Sequence, residues 1–124
     1  MRVEFKSAGG EAAAPSAPHR ARGTGARLVA ELQVLAGGHG ILTEHRQRAW
    51  ASVTFSGTRH ELTLRFEGDE AVAAAEAFIV ALPEHEFTMP RQLVAEATVV
   101  GVDHLVLPAP RLEVRCEVLL LDHE

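Results

Sequence analysis

Arg46-Gln47-Arg48-Ala49-Trp50-Ala51-Ser52-Val53-Thr54-Phe55-Ser56-Gly57-Thr58-Arg59-His60-Glu61-Leu62-Thr63-Leu64-Arg65-Phe66-Glu67 is the stretch whose periodicity decides the fold. From Arg46 to Ser56 two sets of residues alternate: Ala49, Ala51, Val53 and Phe55 face one way, and Arg48, Trp50, Ser52 and Thr54 the other. Leu62, Leu64 and Phe66 repeat the pattern against Glu61, Thr63, Arg65 and Glu67. A period of two marks a strand with one buried side. Ser56-Gly57-Thr58 offers turn chemistry between the runs, so the spacing predicts a hairpin with one apolar face.

Towards the N-terminus, Leu28, Val29, Leu32, Leu35 and Ala36 recur at helical spacing, with Thr24 as the expected cap and Gly37-Gly38 as the stop. Towards the C-terminus, Gly68-Asp69 leads into an Ala-rich helix over 70–82 with Val72, Ala75, Ile79 and Leu82 on one stripe. Asp69 and Glu70 suit the positive end of its dipole. The segment from Leu93 to Leu107 is apolar on both faces, which predicts an interior strand. Beyond Pro108-Ala109-Pro110, Leu112, Val114, Cys116, Val118 and Leu120 alternate with Glu113, Arg115 and Glu117 in a last strand.

These elements predict an α+β fold, with two helices packed on one face of a mainly antiparallel sheet in (β)αββαββ order. Residues 1–23 read as a flexible arm with a short strand at 2–6, and residues 24–124 as a single domain. Without its last strand the order is that of ferredoxin-like two-layer sandwiches, and roadblock-like or hotdog-like sheets use the same elements. At an offset of 44, Gly57 matches Gly101 and His60 matches His104, which suggests two helix–strand–strand units.

The net charge of −5 divides unevenly: residues 1–27 carry +3 and residues 28–124 carry −8. An acidic body repels phosphate backbones and argues against a nucleic-acid partner. The single cysteine cannot form an intrachain disulfide, which points to a reducing, cytoplasmic setting. No 18-residue apolar run and no signal-peptide core are present, so no membrane partner is expected.

No Gly-x-Ser-x-Gly, Walker, Gly-x-Gly-x-x-Gly, His-Glu-x-x-His or Cys-x-x-Cys pattern occurs, and neither a cofactor nor a metal centre is expected. His39, His45 and His85 could share a metal only if their loops converged. His60 and His104, equivalent under the repeat, are the candidate catalytic residues. Arg46, Arg48 and Trp50 combine cations with an aromatic and, with Arg91, are the candidate ligand-binding residues, although Glu44, Glu61 and Glu67 stand near enough to neutralise the arginines. Cys116 reads as a buried core thiol. Val118-Leu119-Leu120-Leu121 is apolar on both faces, so a C-terminal edge strand would self-associate, giving a homodimer. The expected function is a cytoplasmic, homo-oligomeric interaction domain for a protein or small ligand. The alternative is a small enzyme with a histidine-containing site between sheet and helices.

Overall fold

The computed structural model describes residues 18–122. Helix α1 runs Pro18–Leu35, so it starts ahead of Thr24 and takes in the last residues of the expected arm; the expected strand at 2–6 lies outside the described residues. At the other end the Gly38 N–H bonds the Gln33 carbonyl and the Gly37 N–H the Val34 carbonyl, each at 3.0 Å. Gly37 takes φ 68 there, closing the helix with paired carbonyls that would otherwise be orphaned.

Strands β1 (Ile41–Ala51) and β2 (Ser56–Glu67) form the first hairpin, helix α2 spans Asp69–Ala81, and β3 (Gln92–Leu105) and β4 (Arg111–Asp122) form the second hairpin. A 3-10 turn, Leu82–Glu84, follows α2. The sheet has four strands, all antiparallel, in the order β1-β2-β4-β3. The fold is therefore α+β with two helices, built as two helix–strand–strand units whose second strands meet at the centre.

Three expectations change. The first hairpin turns at Ser52–Phe55, four residues earlier than the Ser56-Gly57-Thr58 expectation: the Ser52 N–H bonds the Phe55 carbonyl at 2.7 Å and the Phe55 N–H returns to Ser52 Oγ at 3.1 Å. Gly57 belongs to the strand instead, where a Cβ would overlap the Leu120 backbone carbonyl. The last strand is not an edge. β4 lies between β2 and β3, the interior place that the sequence reading gave to β3, and β3 is an outer strand. Finally, the strand units repeat at a different spacing: β4 begins 55 residues after β2, so Gly57-x-x-His60 on β2 and Gly101-x-x-His104 on β3 are not equivalent.

The core lies between the helices and one sheet face. Leu28, Leu32 and Ala36 of α1 and Ala71, Ala75 and Phe78 of α2 pack with Leu62, Leu64 and Phe66 of β2 and Leu112, Val114, Cys116, Val118 and Leu120 of β4. Each fully buried Leu or Phe side chain contributes about 1.5–3 kcal/mol. Leu119 and Leu121, on the other face, are also buried, which accounts for a terminal strand apolar on both sides.

Candidate functional site

The outer face of the sheet is an ordered grid of charge. Register places Trp50, Gly57, Leu121 and Leu93 in one row across the four strands, then Arg48, Arg59, Leu119 and Glu96, then Arg46, Glu61, Glu117 and Thr98. Arg48 pairs with Glu61, Arg46 with Glu44 at 3.4 Å, and Arg59 with Glu117 at 3.2 Å and Glu96 at 3.8 Å. Arg115 reaches Asp103 at 2.8 Å. Arg46, Arg48 and Trp50 thus share a face, as their alternation implied, and both arginines have acidic partners. Arg91 does not join them. It sits exposed in the turn before β3 with φ 64.

His60 and His104 are not brought together. His60 on β2 pairs with Val118, whereas His104 on β3 pairs with Leu112, six residues away along β4; at strand rise that is roughly 20 Å. His104 is exposed. The partner of His60 is instead His45: His45 Nε2 and His60 Nδ1 share a hydrogen bond at 2.9 Å, with ring centroids 5.2 Å apart. The two are diagonal neighbours across the hairpin, since Gln47 pairs with His60 and His45 with Leu62. Locating the turn at 56–58 hid this pair, because a shifted turn changes every cross-strand partner.

His60 is 1 % exposed, and its Nε2 finds no hydrogen-bond partner among the described residues. Burial, and secondarily the neighbouring His45, push its pKa down to about 4; burial also lowers that of His45. Both rings are therefore neutral near pH 7. Beside them Gly25, Ala26, Val29 and Ala30 of α1 and His45 and Gln47 of β1 line an open hollow of about 460 Å³. Its walls are mostly aliphatic, and among the described residues no carboxylate orients either ring.

A second cluster joins α1 to the loop after α2. Glu31 accepts the Thr88 N–H at 2.9 Å, bonds His85 Nε2 at 3.2 Å and lies 3.6 Å from Arg27 Nε. Arg27 Nε also donates to the Thr88 carbonyl at 3.1 Å. Burial opposes the Glu31 charge, but the His85 and Thr88 bonds and the Arg27 and His85 charges together hold its carboxyl below the ordinary range. This clasp was missed because its members are 54 to 61 residues apart. His39, His45 and His85 stay separate, and no group of three metal-ligating side chains occurs among the described residues. Cys116 is buried as expected, and desolvation, with Glu117 nearby, pushes its thiol up to about 12.

Exposed large apolar side chains stand at both ends of the sheet, and two more, Val34 (81 %) and Val80 (75 %), stand on α1 and α2. Val53 (102 %) and Phe55 (53 %) crown the β1–β2 hairpin, with Leu93 near that end; Leu105, Val106 and Leu107 (78 %) form the β3–β4 hairpin end. No helix among the described residues is long and apolar enough to cross a membrane.

No protein-family model matches the chain. No curated protein does either. Among solved structures, a chain from the virion of a native gene transfer agent particle is similar in fold, with a TM-score of 0.55 over 79 % of this chain and 91 % of that one, at 16 % identity. At that identity the likeness is one of fold alone.

Proposed function

We propose that this chain is a non-catalytic assembly module, a homo-oligomeric protein-interaction domain that serves as a structural component of a larger protein particle. The observation that carries the reading is the clustering of exposed apolar side chains at both hairpin ends of a sheet whose two outer strands each leave one edge unpaired among the described residues. Clustered exposed apolar side chains mark interaction sites more often than free surface. The fold likeness to a particle component supports the same reading. The lone buried thiol of Cys116 suits synthesis in a cytoplasm.

The enzyme reading draws on the His45–His60 pair beside its hollow. It is the weaker one, because a catalytic imidazole needs an orienting partner and a reacting group within reach, and the described surroundings of these rings supply only each other.

Sedimentation across a concentration series tests the proposal. The wild-type chain is expected to associate, and Phe55→Ser and Leu107→Ser to weaken association with unchanged melting. A chain that stays monomeric up to about 100 μM, a concentration far above functional dissociation constants, and gains no mass with particle proteins would overturn it.

A further inference from the structure

The four strands alternate in direction, so β1 and β4 run one way and β2 and β3 the other. The two outer strands are therefore antiparallel to each other. A second copy set alongside in the same orientation would bring its β1 antiparallel to β3 of the first, with the helices of both on one side.

We propose that copies of this chain join head to tail, β3 of one against β1 of the next, to build an assembly larger than a dimer. The proposal rests on the assembly reading above and specifies its partner and geometry. Charge is the first argument. The outer face of β1 carries Arg46 and Arg48 with one acid, Glu44, whereas that of β3 carries Glu96 and Asp103 and no base. All five side chains are more than half exposed.

Register is the second argument. If each row is carried straight across the junction, Glu96 meets the next copy's Arg48, Leu93 meets its Trp50, Val102 meets its Leu42, and Thr98 meets its Arg46. Arg48 already holds Glu61 and Glu96 already faces Arg59, which holds Glu117. The junction would thus complete an alternating chain, Glu61–Arg48–Glu96–Arg59–Glu117, across two copies. Bulges blunt an edge against indiscriminate pairing. Here the β1 bulge at Thr43 and one β3 bulge at Val100 fall in adjacent rows, so the two edges are irregular near the same place; the other β3 bulge, at Ala95, lies between the Leu93 and Glu96 rows and has no counterpart on β1.

Self-pairing of like edges does worse on the β3 side, where β3 against β3 gathers only acids on the outer face. Pairing β1 with β1 can match Glu44 to Arg46, but it is isologous and stops at two copies. A β3–β1 contact is heterologous, and each added copy leaves one edge of each kind for the next.

Charge exchange with sedimentation and light scattering tests this. Arg48→Glu alone and Glu96→Arg alone are each expected to weaken association at least about tenfold, which is about 1.4 kcal/mol. The double variant Arg48→Glu/Glu96→Arg, which restores the contact across the junction but keeps Glu61 and Arg59 as like-charged neighbours, should associate more tightly than either single variant, and an equimolar mixture of the singles should form mixed assemblies. Circular dichroism melting of each variant reports whether the fold is intact. A wild-type mass that stops at two chains, or Glu96→Arg associating as wild type does, overturns the head-to-tail geometry while leaving an assembly module in place. Failure of wild type to bind itself or particle proteins removes both.

Discussion

Acidification from about pH 7 to about pH 4 should destabilise the fold through one buried ring. His60 has a folded-state pKa of about 4, against about 6.5 for an exposed histidine. The unfolded chain therefore binds the proton more readily, so His60's contribution is full above pH 6.5 and is lost as pH falls towards 4. The difference of about two and a half pH units, at 1.36 kcal/mol each, gives a loss of about 3 kcal/mol. For a domain of ordinary stability that is a large fraction of the total. Carboxylates also titrate near pH 4, so the assay is a comparison: urea unfolding of wild type and His60→Leu at stepped pH. The variant replaces the ring with an aliphatic side chain and removes the unpartnered Nε2, so it should lack this component of the pH slope. Parallel curves for the two proteins, or an NMR titration placing the His60 ring above pH 6, would refute the reasoning.

Gly57→Ala should cost about 2–4 kcal/mol in thermal or urea unfolding, because its Cβ meets backbone that cannot move aside. Gly38→Ala, where nothing lies within 4 Å but φ is 77, should cost about 1 kcal/mol; equal losses at the two sites would contradict the close β2–β4 approach. Glu31→Gln should cost about 1 kcal/mol after solvent screening and speed hydrogen exchange at Thr88, while α2 amides stay protected. Cys116, buried with its pKa pushed up to about 12, should react with an aromatic disulfide reagent only as fast as the protein unfolds; rapid native-state labelling would place it elsewhere.

Local patterning carried the elements well. The alternation of Leu62, Leu64 and Phe66 against Glu61, Thr63 and Arg65 identified a half-buried strand, and Leu28 and Leu32 identified the buried face of a helix. Sheet order was not legible, because both strands of the second hairpin are apolar enough to be interior. β3 and β4 differ in which of them meets β2, a long-range pairing that no local period encodes. Gly57 misled for a related reason: glycine serves tight turns and close backbone contacts alike, and only the neighbouring strand distinguishes them. Missing the His45–His60 pair followed from that error, whereas the expectation that acids would neutralise the arginines needed no exact register, because many registers bring some acid near an arginine on so charged a face.

Hydrogen exchange of the wild-type chain, compared between dilute and concentrated solutions, tests most directly whether its work is done at edges and hairpin ends. Added protection on concentration should appear in 41–56 and 92–107, with α2 unchanged. Protection that never changes with concentration, or that changes only along Gly25–Ala30 beside the histidine hollow, would contradict the assembly account.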